Sequence, residues 1–218
     1  MSVAPRILIT AGPTHEPIDE VRFLGNRSSG RLGISLARAA ASRGCRTTLL
    51  LGPTALAPDD SEHTVLRFQS CADLEELLHD QWPDHDLLFM AAAVADYRPR
   101  EVLRGGKLRR RPGELSLDLV ATPDLLAELA DRSRPDQLRI GWALEPRSGL
   151  LASARAKLER KRLDAIVANP LETLDADGIE PLLVLPDGAV RTPRSGTVPK
   201  AEFAGWLLDI TLGMLADG

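Results

Sequence analysis

Residues 12–30 read GPTHEPIDEVRFLGNRSSG, a stretch of amide, hydroxyl and guanidinium groups in front of an amphipathic segment. If that segment is a helix, Asn26-Arg27-Ser28-Ser29-Gly30 sits at its start. Free N–H groups and the positive dipole end make such a start an anion site. Gly12, Ser28, Ser29 and Gly30 are therefore candidates to cradle a phosphate. Ser28 and Ser29 fit plain helix capping equally well. Arg22 and Asn26 follow no apolar periodicity, which suits side chains facing a cleft. Arg22 also fits pairing with Asp19 or Glu20, and Asn26 also fits a left-handed turn.

Three further stretches carry candidate chemistry. In Ala91-Ala92-Ala93-Val94-Ala95-Asp96-Tyr97, small residues around Ala92 let a flat ring or a phosphate chain approach the backbone; tight helix–sheet packing is the alternative. Asp96 suits a ribose hydroxyl or a divalent cation, or a turn cap. Gly105-Gly106 precedes Lys107, Arg109 and Arg110, a pattern for a mobile flap closing on a polyphosphate. Lys157 and Lys161 share a helix face and reach either phosphates or solvent and Glu159. Missing are the GxGxxG turn, the P-loop and the G-x-S-x-G elbow. His15, His63, His79, His85 and the two cysteines show no metal spacing. The remaining groups suit catalysis by positioning and charge stabilisation, without an enzyme nucleophile.

The elements that must hold these groups alternate along the chain. Apolar runs predict strands at 6–11, 47–51, 64–68, 87–95, 138–143 and 165–168, with a hairpin at 181–190 turning at Pro186-Asp187-Gly188. Helical spacing predicts helices at 28–44, 71–82, 123–132, 150–162 and 199–215. Residues 12–27 form a polar loop, and the alternating ELSLDLV at 114–120 reads as a β-ribbon. Such alternation implies an α/β fold: a doubly wound, mostly parallel, Rossmann-like sheet with a small β-flap at about 98–121, in one domain spanning 1–218. Ligands of these folds sit beyond the carboxyl ends of the strands, here after Ala11, Ala95, Ala143 and Ala168.

Composition bounds the rest. The 218 residues are 44% hydrophobic and 27% charged, ordinary globular values. A net charge of −4 and a pI near 5.6 argue against a nucleic-acid coat or an anionic-membrane binder. Two basic clusters, RGGKLRRR at 104–111 and RAKLERKR at 155–162, suit local binding of a small polyanion or two solvated faces. Apolar runs are too short to cross a bilayer, the opening residues carry no secretory leader, and Cys45 and Cys71 make no disulfide framework. A cytoplasmic protein is expected.

TAGPTHEPIDEVRFLGNRSSGRLG, AAAVADYRP, KLRR, ATPDLL, the Lys157/Lys161 helix and DAIVANP, in this order and spacing, resemble phosphopantothenoylcysteine synthetase over about residues 6–215. The resemblance implies a stand-alone bacterial form of the ligase. In it 4′-phosphopantothenate is activated by CTP as an acyl-cytidylate and then captured by L-cysteine, releasing CMP and pyrophosphate. Mg²⁺ accompanies the nucleotide, and no flavin is needed. It implies a homodimer, with 114–120 as the ribbon completing the partner's site, and admits a separate decarboxylase as partner. By motif, Asn26 contacts the activated acyl group, Arg22 lies near the substrate and Lys107 heads the flap. Ala92, Asp96, Thr122, Pro123, Asp124, Leu125, Trp142, Lys157 and Lys161 fall in the nucleotide site, with Asp96 nearest the cation. Pro13, Arg31, KLRR and WALEP depart from the family pattern. A non-catalytic nucleotide-binding regulatory module on the same fold is the rival expectation; a dinucleotide-dependent reductase lacks its glycine fingerprint.

Overall fold

The structure, a computed structural model, describes residues 4–58, 61–110, 112–173, 178–193 and 196–217. Arg111, in the first basic cluster, lies outside the described residues. Six parallel strands form the heart of the sheet: β1 (Arg6–Ala11), β2 (Arg46–Leu51), β3 (Thr64–Arg67), β4 (Leu87–Met90), β5 (Leu138–Glu145) and β6 (Ala165–Pro170). β7 (Leu182–Val184) and β8 (Val190–Arg191) extend it antiparallel as the expected hairpin. The order across the sheet is β3-β2-β1-β4-β5-β6-β7-β8. The chain thus winds outward from β1 in one direction and from β4 in the other, the doubly wound α/β arrangement that the alternation predicts.

Both faces of the sheet are covered, which is why its strands read as continuous apolar runs. Successive side chains of β1 point to opposite sides. Ile7 and Ile9 pack with α1 (Arg31–Ser42) and α5 (Lys200–Asp217), alongside Leu36, Leu49, Phe203 and Leu207. Leu8 faces α2 (Cys71–Gln81), α3 (Leu125–Glu128) and α4 (Leu150–Arg160), alongside Leu50, Leu74, Leu78, Leu125 and Leu158. Burying each such leucine contributes about 1.5–3 kcal/mol. No helix among the described residues is long and apolar enough to cross a membrane.

Several expected boundaries shift, each for a local reason. α1 begins after Gly30, which is left-handed (φ 71°) and offers no side-chain cap. Ser28 and Ser29 are not the caps; their hydroxyls accept only long bonds from the N–H groups of Gly30 and Arg31, both 3.4 Å. The helix ends at Arg43, and Gly44 (φ 74°) supplies the left-handed residue that lets Gly44 and Cys45 donate back to Ala41 and Ala40. β4 stops at Met90, short of Ala95, because the following alanines are drawn toward the loop after β1. Residues 12–27 hold a small antiparallel pair, His15–Pro17 with Phe23–Gly25. Of the ribbon expected at 114–120, Leu119 and Val120, continued by Ala121, pair with Tyr97–Pro99, and Asp118 O accepts the Arg100 N–H (2.9 Å). The helix expected at 123–132 is four residues of α-helix continued as a 3₁₀ turn at Leu129–Arg132.

Close packing of α1 on β1 is set by Gly33, where an added Cβ would collide with the side chain of Ala11. Gly33→Ala is expected to cost about 1–3 kcal/mol, read as a lower urea midpoint with an unchanged slope.

Candidate functional site

At the switch point, where β1 and β4 lie side by side and their connections leave in opposite directions, a cleft of about 970 Å³ opens beyond the strand ends. The connection 91–95 is drawn across its base by buried hydroxyls. Thr10 Oγ1 accepts the Ala92 N–H (3.0 Å), and Thr14 Oγ1 accepts that of Ala95 (3.0 Å). Main-chain bonds add to this: Ala93 N–H to Gly12 O (2.9 Å) and Thr14 N–H to Ala93 O (3.2 Å). Thr122 ties in the approach to α3. Its hydroxyl donates to Ala95 O (2.5 Å) and its N–H to Asp96 O (3.0 Å). Asn26 Nδ2 donates to Val94 O (2.8 Å), fixing its amide at the mouth. With the N–H groups of Ala92, Ala93 and Ala95 bonded to Thr10, Gly12 and Thr14, the alanines present a low, smooth floor to a ligand.

The wall opposite is basic. Lys157 and Lys161 lie one turn apart near the end of α4, with Arg160 between them, and all three line the cleft. Lys157 Nζ donates to Glu145 Oε1 (2.7 Å), which also accepts from Ser153 Oγ (3.0 Å). The Lys157 bond, then the Ser153 bond, hold the Glu145 carboxyl below its usual range. Lys161 Nζ donates to Asp124 Oδ1 (2.8 Å), the same carboxylate that caps α3. Around the cleft Arg27, Arg31, Lys157, Arg160, Lys161 and Lys200 face two lining carboxylates, Asp96 and Asp124. A net-negative chain has gathered positive charge at one mouth, the arrangement that draws a polyanion. Trp142 supplies apolar wall, its indole edge-on to Phe89 at 6.3 Å.

Asn26, Ser28, Ser29, Gly30, Ala92, Asp96, Thr122, Pro123, Asp124, Leu125, Trp142, Lys157 and Lys161 all line this one cleft. Gly12, Arg22 and Lys107 do not. Gly12 is buried in a left-handed turn (φ 83°) and packs on Gly52, so its part is to shape the loop. Arg22 takes the local alternative: Nη1 binds Asp19 (2.8 Å) and Nη2 donates to Leu108 O (3.1 Å). Lys107 is exposed on the flap. Sequence reasoning missed Arg27, Arg160, Asn169 and Lys200. Asn169 sits just past Ala168, in a segment already marked by the strand-end rule. Lys200 arrives from the far end of the chain, where nothing local announces it.

The flap is latched to the loop after β1. The buried Asp19 carboxylate accepts N–H bonds from Val21 (2.8 Å), Arg22 (2.7 Å) and Leu108 (2.9 Å), besides its pair with Arg22. Gly105 N–H donates to Glu20 Oε1 (3.0 Å) and Leu103 N–H to Ile18 O (3.1 Å).

Residues 3–212 match the family model described as the DNA/pantothenate metabolism flavoprotein C-terminal domain. A prokaryotic cysteine/cysteine sulfinic acid decarboxylase is 43% identical over 77% of this chain and 46% of its own length. The Coenzyme A biosynthesis bifunctional protein CoaBC of Mycobacterium bovis is 35% identical over 97% of this chain and 53% of its own length. The chain thus spans about half the length of these curated relatives. Among solved structures, the C-terminal domain of a CoaBC superimposes with a TM-score of 0.82 at 34% identity, over 98% of this chain and 97% of that one.

The Leu108 N–H bond, ahead of those from Val21 and Arg22, holds the Asp19 carboxyl below its ordinary 3.8. A depressed carboxylate stabilises the latch fully above its unfolded value and loses that contribution as pH falls through the folded one. The latch is therefore expected to loosen only below pH 3.8. At neutral pH, Asp19→Asn is expected to speed tryptic cleavage after Lys107, Arg109 and Arg110 by about tenfold or more.

Proposed function

The chain belongs to the DNA/pantothenate metabolism flavoprotein C-terminal domain family, and from that premise we propose that it joins 4′-phosphopantothenate to L-cysteine at the expense of a nucleoside triphosphate, CTP by preference. The observation that carries this reading is the convergence of Asn26, the alanine floor, Asp96 and the Lys157/Lys161 pair on one cleft. Nucleotidyl and acyl transfer both need charge neutralised in place more than they need a nucleophile from the enzyme.

In this reading the triphosphate lies along α4. Lys157 and Lys161 exchange Glu145 and Asp124 for phosphate oxygens, and Arg160 adds a third cation. The base rests near Trp142 and the 122–125 turn. A phosphopantothenate carboxylate oxygen attacks the α-phosphorus, the bond to the β-phosphate oxygen breaks, and pyrophosphate leaves. The cysteine amine then attacks the acyl carbon, loses a proton, and expels CMP. Asn26 Nδ2 carries two N–H bonds, one spent on Val94 O. The second is available to the acyl oxygen as charge develops there. Lys107 joins the phosphates when the flap closes over the mouth.

The donor set fits Mg²⁺ carried in with the nucleotide. Asp96 is exposed on the cleft, and its carboxylate has no side-chain partner among the described residues. One carboxylate plus phosphate oxygens is the usual company of that ion. Bound there, it would neutralise phosphate charge. The homodimer reading draws support from apolar side chains left open on the two adjoining ribbons and the flap: Val21, Phe23, Tyr97, Leu115, Leu117 and Leu119. A patch of this kind marks an interaction surface.

Pyrophosphate release, followed with CTP or ATP in the presence of phosphopantothenate and cysteine, tests the reading. Release dependent on phosphopantothenate, with CTP favoured, is expected; no release with either nucleotide overturns it. Asn26→Ala is expected to slow amide formation by about 10² while leaving nucleotide affinity intact. Lys157→Gln is expected to weaken nucleotide binding by about tenfold or more, measured by calorimetry.

A further inference from the structure

We infer that Glu75, His79 and Glu128 form a binding site for a divalent transition metal of zinc type, braced between α2 and α3. None of the three lines the nucleotide cleft, and the inference does not depend on the ligase reading.

The geometry comes from two packed backbones. Glu75 and His79 are one turn apart on α2 and share a face. Their neighbours Leu74 and Leu78 are buried, which fixes the roll of that helix. Glu128 ends α3, whose roll is fixed in turn by buried Leu125 and Leu126. One ligand atom from each of the three lies within 4.8 Å of the others. Zinc bonds of about 2.0–2.2 Å place tetrahedral ligands roughly 3.4 Å apart. For a metal to bind, the remaining closure has to come from rotation of these three side chains.

The electrostatics ask for a cation. Two carboxylates converge here, and neither they nor the imidazole has a side-chain hydrogen bond or ion pair among the described residues. Other exposed carboxylates of the molecule, such as Asp118 and Asp209, are held by arginines at 2.6 Å. One turn before Glu75, the Cys71 thiol is pushed up to about 12, chiefly by burial, with Glu16, Glu75 and Glu128 adding to it and Arg98 opposing.

The donor set chooses among metals. One imidazole nitrogen and two carboxylate oxygens suit Zn²⁺ or Co²⁺, whereas Mg²⁺ favours oxygen alone and keeps its water. Three protein ligands leave a fourth position for water. The histidine and cysteine spacings in the sequence give no sign of this, because the third ligand comes from a different helix. Its consequence is mechanical. α3 is four residues long, and its cap Asp124 lines the cleft and holds Lys161. A metal joining Glu128 to α2 pins that short helix from its other end.

The test uses this 218-residue chain, tag-free and chelator-treated, and metal alone. Calorimetric titration with Zn²⁺ is expected to give one site per chain, and Co²⁺ to give a visible absorption band of low coordination number. His79→Ala and Glu128→Gln are each expected to lower Zn²⁺ affinity by about 10²-fold or more and to abolish the metal-induced rise in Tm. His79 is part-exposed and Glu128 exposed, so the metal-free Tm should stay near the parent's and certify folding. Cys71→Ser and His63→Ala should bind as the parent does. Hydrogen exchange of residues 125–132 is expected to slow with Zn²⁺ in the parent and not in His79→Ala. Absence of zinc binding in the parent, or equal binding in His79→Ala and Glu128→Gln, overturns the inference.

Discussion

Two buried threonine hydroxyls hold the switch point together. Thr10, at the end of β1, and Thr14, just beyond it, are fully buried, and each accepts a main-chain N–H from the connection after β4. Without them those donors would point into an apolar interior, at a cost of about 1–3 kcal/mol each. With them, the connection lies flat across the strand ends. Everything placed around the cleft depends on that lie. Asn26 is anchored to Val94, Thr122 to Ala95, and through Thr122 the turn that begins α3. The floor is thus a consequence of satisfied hydrogen bonds below it, and its smallness a consequence of alanine.

Charge is arranged on the same principle of partners already in place. Lys157 and Lys161 do not wave in solvent; each is held by a carboxylate, at side-chain exposures of 29% and 20%. Exposed pairs of this kind contribute little to stability. Their effect is to orient: both ammonium groups stand on the cleft side of α4 before any ligand arrives, so little side-chain freedom remains to be lost on binding. Asp19 does the same for the flap, gathering three N–H groups and a guanidinium onto one carboxylate.

Much of this was readable from residue order. The strand runs are continuous and apolar because both faces of the sheet are covered, and the alternation with helical periods fixes the doubly wound class. The cleft position follows from topology, and most candidate residues fall on it because they sit at strand ends or helix ends, where sequence position determines spatial position. What escaped was non-local. The early end of β4 is decided by hydroxyls some eighty residues away, in Thr10 and Thr14. Arg22 lacks apolar periodicity and so suited a cleft, yet a carboxylate three residues before it claims its guanidinium. Ser28 and Ser29 have the chemistry of caps, but a left-handed Gly30 takes the position. The alternating stretch at 114–120 has β-ribbon periodicity, yet among the described residues only its end pairs with another strand.

Under the proposed function, the lysine–carboxylate pairs also bear on how the cleft empties. An incoming polyanion must evict Glu145 and Asp124, and these remain tethered a few ångströms away as permanent rivals for the same ammonium groups. A fragment with fewer negative charges than the one that entered competes poorly against them. On that reading the cleft is biased to grip a highly charged guest and to shed its poorer remnant, so that occupancy is traded for throughput by two neighbouring acids.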